Sequence, residues 1–244
     1  MIRLIKKIFC VCFLISLILF SSCKKDKKSA AAPATNTTNG SALYDGILRA
    51  WKSQDVIGTT LDTYIASSGD AWFGSAPSEY YTNYNFVKVD SIFLNGTRLS
   101  FGSYDYTDST YSISNMPPAI WHIVGNNGIP SFNFTNTSAM PSYSGYATFP
   151  DSIDRAQTIT VAISGITNAT NASFYITDGT YTAYKALSIN GTSVTFNPTD
   201  LSSLAATPYG YIEVVVGNET VQTFGGKKFK FQNEYQVTKF IKIK

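Results

Sequence analysis

Beyond residue 150, apolar and polar residues alternate along the chain, which is the pattern of β-strands with one buried face. Ile159, Val161 and Ile163, for example, alternate with small or polar neighbours. About seven short strands of this kind in the last ~95 residues predict a β-sandwich. The further predicted strands lie within residues 174–176, 181–189, 194–196, 209–216, 227–231 and 235–243.

Tight turns are predicted where a glycine follows an asparagine or an aspartate. Asn95-Gly96, Asp178-Gly179 and Asn190-Gly191 accept the positive φ angles of a two-residue hairpin turn. Residues 87–93 and 98–101 alternate on either side of the first of these pairs. This segment therefore predicts a hairpin with one buried face.

The first half of the body has weaker strand signals. Leu43, Ile47 and Trp51 have helical spacing, although a glycine lies between them. Gly58–Tyr84 contains few strand-forming runs and is predicted to be an elaborated loop. Ile120–Val124 is predicted to be a strand. We interpret this half as an irregular β domain.

The predicted fold class is therefore all-β, with two β-sandwich-like domains, 43–149 and 150–244. One helical turn is expected, Pro198–Leu204, with Thr199 as its cap. The strand pattern of the second domain resembles that of immunoglobulin-like and fibronectin-type sandwiches, although it has neither the cysteine pair nor a core tryptophan. This resemblance implies a fold and does not imply a function.

The first 22 residues have the three parts of an export signal. Three basic residues precede an uncharged apolar run, Ile8–Phe20, of 13 residues. This run suits a signal peptide, whereas a membrane-spanning helix needs ~20 apolar residues. Two serines then precede Cys23, and this order resembles the lipobox of bacterial lipoproteins. Cys10 and Cys12 are weaker candidates because a large residue precedes each of them.

The lipobox resemblance implies that residues 1–22 are removed and that Cys23 carries a lipid anchor. Residues 23–42 are small and polar, which predicts a flexible tether. Lys24, rather than an aspartate, follows the cysteine, and by resemblance this favours the outer membrane. Which face of that membrane carries the protein stays open. The whole chain resembles surface lipoproteins with tandem β domains.

Composition excludes several kinds of chemistry. All three cysteines lie at or before Cys23, so the body has no thiol for a disulfide, a nucleophile or a metal ligand. His122 is the only histidine, which excludes a multi-histidine metal or haem site. We interpret it as a half-buried strand residue, and we predict no cofactor, no metal site and no catalytic residue. The 16 basic and 16 acidic residues that remain after the signal argue against a nucleic-acid partner.

Aromatic residues suggest where a ligand would bind. All three tryptophans fall within residues 51–121, together with a dense run of tyrosines. Exposed rings suit stacking against sugars, whereas buried rings would belong to the core. The candidate stacking residues are Trp72, Tyr80, Tyr81 and Tyr84.

Three serines are candidates for O-glycosylation. Ser91, Ser109 and Ser152 each follow an aspartate and precede isoleucine or threonine. This pattern resembles the general O-glycosylation signal of exported proteins in one group of two-membrane bacteria. Asp105 and Asp108 form a candidate carboxylate pair of the kind that glycosidases use, although a solvated turn is the simpler interpretation.

Three hypotheses of function follow from these features. The preferred one is a lipid-anchored, non-catalytic cell-envelope module that binds a glycan or an envelope protein. The second is a structural or assembly subunit of an outer-membrane complex. The third is a carbohydrate-active enzyme that uses carboxylates. An acid-lined cleft would favour the enzyme, and an exposed aromatic strip would favour glycan binding. A large apolar patch would favour a role in assembly.

Overall fold

A computed structural model describes residues 44–74, 86–102, 105–108, 110, 113, 116–188 and 191–244. Nearly all of their regular structure is strand, and the strands form several sheets of a sandwich-type fold, which confirms the predicted all-β class. The strands are β1 (Gly46–Ile57), β2 (Thr60–Leu61), β3 (Ala66–Phe73), β4 (Ser91–Leu94), β5 (Thr97–Arg98), β6 (Ser100–Phe101), β7 (Tyr106–Thr107), β8 (Ala119–Val124), β9 (Phe132–Asn136), β10 (Ser142–Ser144), β11 (Ser152–Ile153), β12 (Ile159–Ala162), β13 (Ser164–Thr167), β14 (Asn171–Thr177), β15 (Thr182–Ser188), β16 (Ser193–Phe196), β17 (Thr207–Phe224) and β18 (Lys227–Ile243).

One ten-stranded sheet runs through the body, in the order β15-β14-β17-β18-β1-β3-β7-β6, with β2 and β11 attached at its sides. Its centre is the hairpin of β17 and β18, whose strands have 18 and 17 residues and span about 60 Å. β1 pairs with β18 in parallel, and the other pairings on this path are antiparallel. We call this assembly the large sheet.

Smaller sheets cover one face of the large sheet and enclose two hydrophobic cores. The four-stranded sheet β5-β4-β8-β9 closes the first core, in which Leu48, Trp121 and Phe229 are buried. The two-stranded sheets β12-β16 and β10-β13 belong to the second core, in which Phe174 and Phe196 are buried.

β18 lines both cores, so the predicted boundary at residue 149 does not separate two sheets. Phe229 and Phe231 are buried in the first core, whereas Val237 and Ile241 are buried in the second. A strand of this length reaches both regions, and residues 41–244 form one compact unit. The two predicted strands 227–231 and 235–243 are accordingly one continuous strand.

Two of the predicted turns lie within the described residues, a two-residue turn at Asn95-Gly96 and a longer loop, 178–181, at Asp178-Gly179. Asn95 and Gly96 adopt φ angles of 48° and 80° between β4 and β5, which confirms the predicted hairpin. Asp178-Gly179 joins β14 to β15, and Asp178 Oδ1 accepts the backbone N–H of Tyr181 at 2.7 Å. Asn190 lies outside the described residues.

The predicted helical turn is present as a short helix, α1 (Pro198–Leu201). Its cap is Asn197 rather than Thr199, because the Asn197 backbone N–H donates to the Asp200 carboxylate at 2.8 Å. No helix of the described ranges has the length and apolar character needed to cross a membrane.

Two interpretations of the first half were wrong. Ile47 and Trp51, two of the three residues with helical spacing, belong to β1, whereas Leu43 lies outside the described residues. In β1, Gly46 lies against Phe73, and a Cβ at Gly46 would stand 2.6 Å from Phe73 Cδ1. The predicted loop Gly58–Tyr84 contains β3, a largely buried strand. Gly69 in this strand is required by packing, since a Cβ there would lie 2.9 Å from the Arg49 carbonyl oxygen. Strand propensity alone does not detect such a sequence.

A groove on the open face of the large sheet

A groove of about 430 Å³ lies on the face of the large sheet that points away from both cores. We call this side the open face. Strand alternation produces it: Phe174 and Val214 point into the second core, so Tyr175 and Glu213 beside them point outward. The volume falls in the range of ordinary ligand pockets. The groove is lined by Arg49, Trp72, Asn171, Ser173, Tyr175, Tyr184, Ala186, Glu213, Val215, Gln232, Glu234 and Gln236.

Aromatic rings cross four neighbouring strands of the open face. Tyr184 on β15 lies opposite Tyr175 on β14, with ring centroids 5.1 Å apart and planes inclined by 37°. One row along, Tyr211 on β17 lies opposite Phe240 on β18, with centroids 6.2 Å apart and planes inclined by 65°. Tyr184 is 40% exposed and Phe240 is 63% exposed. The strip spans about 14 Å, and its rings are inclined rather than coplanar.

Glu213 is a half-buried carboxylate in the wall of this groove. It lies directly opposite Tyr175 on one side and Thr238 on the other. The Thr238 hydroxyl donates to Glu213 Oε2 at 3.3 Å. Burial raises the pKa of Glu213 above its usual value, because the ionised form loses hydration. No salt bridge to this carboxylate is found among the described residues.

A second carboxylate, Glu234, belongs to a network of charges at the other end of the groove. Arg49 bonds to both oxygens of Asp70, with its closest contact at 2.7 Å from Nη2 to Oδ2. Arg49 Nη1 also lies 3.5 Å from Glu234 Oε2. The guanidinium stands 5.7 Å from the centroid of the Trp72 ring. Arg49 is thus held by two carboxylates and stacked on an indole.

Between these ends, amide side chains offer paired donors and acceptors. Asn171, Gln232 and Gln236 lie on the open face of β14 and β18. The charged lining residues are one arginine and two glutamates, so the groove has a negative balance. Flat rings beside planar amides and carboxylates suit a ligand that has both apolar faces and many hydroxyl groups.

The predicted stacking residues only partly coincide with this groove. Trp72 lines one end, but its side chain is only 7% exposed and packs beneath Arg49. Tyr80, Tyr81 and Tyr84 lie outside the described residues. Cys23 also lies outside them, so its lipidation stays a prediction.

The predicted glycosylation sites are half-buried where they are described. Ser91 lies on β4, at the rim of a shallower depression of about 350 Å³, and Ser152 lies on the short edge segment β11. Ser109 is outside the described residues. Glycosylation of all three stays a prediction.

The other candidates from the sequence have ordinary structural roles. His122 is exposed on β8 rather than half-buried, and its ring lies beside Phe93 and Asn133. Asp108 Oδ1 accepts the backbone N–H and the hydroxyl of Thr110, at 2.9 and 2.6 Å, which is the bonding of a turn. Within the described ranges, no group of three or more potential metal ligands lies together.

Most residues of the groove lie on strands beyond residue 150, outside the range 51–121 in which ring stacking was predicted. β14, β15, β17 and β18 supply Tyr175, Tyr184, Glu213 and Gln236. A signal was present, because outward positions of these strands include polar residues such as Asn171, Ser173 and Glu213 between apolar residues that point into the core. The alternation predicted the strands, and the polar residues within it indicated which face of each strand is open.

Comparison of the chain with protein-family models, with curated proteins and with solved structures found no match. The chemistry of the groove therefore carries the functional proposal.

Proposed function

We propose that this protein is a lipid-anchored, non-catalytic glycan-binding module of the cell envelope, and that the groove on the open face is its binding site. The observation that carries the proposal is the combination in one groove of Tyr175 and Tyr184 with outward amide and carboxylate groups. Sugar rings have apolar faces that stack on aromatic rings and hydroxyl edges that bond to planar polar groups.

The shape of the strip supports an oligosaccharide rather than a single sugar. Tyr175 and Tyr184 line the groove, and Tyr211 and Phe240 lie beyond its lining residues on the same face, so the four rings extend across about 14 Å of sheet. An inclined set of rings suits a chain that twists from one sugar to the next. Because each stacked ring contributes only modestly, we expect affinities in the micromolar range or weaker.

The positions of the two glutamates favour binding over hydrolysis. A glycosidase needs two carboxyl groups about 5–9.5 Å apart. Glu213 lies opposite Thr238, four residues along β18 from Glu234, so the Cα atoms of the two glutamates are separated by about 13 Å along the strand direction. Glu234 is also held by Arg49, whereas an acid catalyst must exchange its proton freely.

The proposed location follows from the N-terminal sequence. A lipid on Cys23 would hold the protein in the outer membrane, and the tether of residues 23–42 would let the groove reach a ligand beyond the lipid surface.

Glycan binding is tested with the full chain purified in detergent. An oligosaccharide array identifies ligands, and titration calorimetry compares the wild type with Tyr184→Ala. Loss of one stacked ring should weaken binding about three- to tenfold. Tyr209→Ala is the matched control, because Tyr209 is 78% exposed and lies outside the groove.

Two outcomes would contradict the proposal. Absence of any glycan ligand would refute it, and so would equal losses in the two variants. If an envelope protein were captured instead, and Tyr184→Ala abolished that capture, the groove would be a protein-binding site.

A further inference from the structure

The two glutamates of the groove differ in whether a cation lies beside the carboxylate. Glu234 lies beside the Arg49 guanidinium, which is the cation among the groove's lining residues. Glu213 is half-buried and accepts a hydrogen bond from the uncharged Thr238 hydroxyl. A carboxylate that loses water on folding is normally compensated by a cation or by several donors. Burial raises the pKa of Glu213, the Thr238 hydrogen bond and the more distant Arg49 charge offset part of that rise, and no described cation forms a salt bridge with this carboxylate.

Two tyrosines flank this carboxylate. Tyr175 lies directly opposite Glu213 on β14, and Tyr211 precedes it by two residues on the same face of β17. Burial is the main cause that raises the pKa of both phenols, and the negative charge of Glu213 adds to the rise in each. A carboxylate between aromatic rings is a favourable environment for an ammonium group, which gains charge pairing and contact with the ring faces.

We infer that the groove binds glycans that carry a free amino group, and that Glu213 holds the ammonium between Tyr175 and Tyr211. This inference rests on the proposed glycan function and adds the chemical class of the ligand. An ammonium has three donors and a positive charge, so it compensates Glu213 better than a sugar hydroxyl does. The negative balance of the lining also disfavours sugars that carry carboxylates or sulfates.

The contribution of the ligand's positive charge is measured by comparing three oligosaccharides of equal length and linkage. Glucosamine, N-acetylglucosamine and glucose oligomers differ only in the amine, acetamide or hydroxyl at one ring carbon. Calorimetry on the full chain in detergent, at a pH where the amine is protonated, should show the glucosamine oligomer binding about tenfold or more tightly than the glucose oligomer.

Two substitutions on β17 show whether Glu213 causes the preference. Glu213→Gln keeps the shape and removes the charge, so it should abolish the preference for the amine over the glucose oligomer. Glu219→Gln is the matched control, because Glu219 lies on the same face of the same strand, is exposed, and is not a lining residue of the groove. This variant should retain the preference.

Each outcome has one meaning. Equal binding of the three wild-type ligands overturns the amine inference and leaves the glycan proposal standing. A preference for the amine that survives in Glu213→Gln, or that is lost equally in Glu219→Gln, overturns the role of Glu213. If none of the three oligomers binds and the array is also empty, the proposed function fails and the inference fails with it.

Discussion

Removal of the Arg49 guanidinium should destabilise the protein, because it leaves Asp70 without its donors. In Arg49→Met the side chain keeps a similar apolar length and loses the charge. The Asp70 side chain is 9% exposed, and it receives three contacts of 2.7–3.1 Å from two nitrogens of Arg49. Breaking a buried ion pair on one side typically costs about 3–5 kcal/mol.

Partial exposure reduces that figure. The Arg49 side chain is 28% exposed, so solvent screens part of the pair, and we expect a loss of about 2–3 kcal/mol in the free energy of unfolding. For a body of this size, the midpoint of thermal unfolding should fall by about 5–10 °C. Urea unfolding followed by tryptophan fluorescence is a suitable assay, since Trp72 packs beneath the guanidinium.

A second substitution separates the buried charge from lost packing. Adding Asp70→Asn to Arg49→Met removes the uncompensated carboxylate and should recover at least half of the loss. Lys185→Met is the matched control. Lys185 pairs with Asp200 at 2.8 Å, and the two side chains are 30% and 31% exposed, so the free energy of unfolding should fall by less than about 1 kcal/mol in this variant. A double variant less stable than Arg49→Met, or equal losses in Arg49→Met and Lys185→Met, would refute the reasoning.

Three further predictions concern the core, the groove and the anchor. Gly69→Ala should lower the free energy of unfolding by about 1–3 kcal/mol, because the added Cβ collides with Leu94 Cδ2; urea unfolding measures this, and an unchanged midpoint would contradict it. Burial raises the pKa of Glu213, so the folded state loses stability as the pH rises through that pKa. Glu213→Gln should therefore melt higher than the wild type at neutral pH, with the difference vanishing below about pH 4, and a constant difference across the series would be evidence against this. Cys23→Ala should abolish fatty-acid labelling in cells, and undiminished label would remove the anchor from the proposal.

The local sequence was enough to predict the all-β fold class and the position of turns such as the one at Asn95-Gly96. Alternation with period two marks a strand whatever its neighbours are, and Asn95-Gly96 specifies its turn by its own backbone preferences. The same alternation indicated which residues of β14 and β17 share a face. It could not show that those faces are adjacent, because no local signal encodes which strands pair.

Tertiary packing decided the rest. Position 69 of β3 is a glycine because Leu94 and the Arg49 backbone leave no space for a side chain, and the other residues of this strand include serines and alanines, which do not have the usual appearance of a strand. The groove joins six strands, and its Arg49–Glu234 contact spans 185 residues of sequence. Sequence determined the side chains that each strand turns outward. Only the pairing of β1 with β18, and of β17 with β14, placed those side chains in one groove, because register across a sheet is set by packing between distant segments.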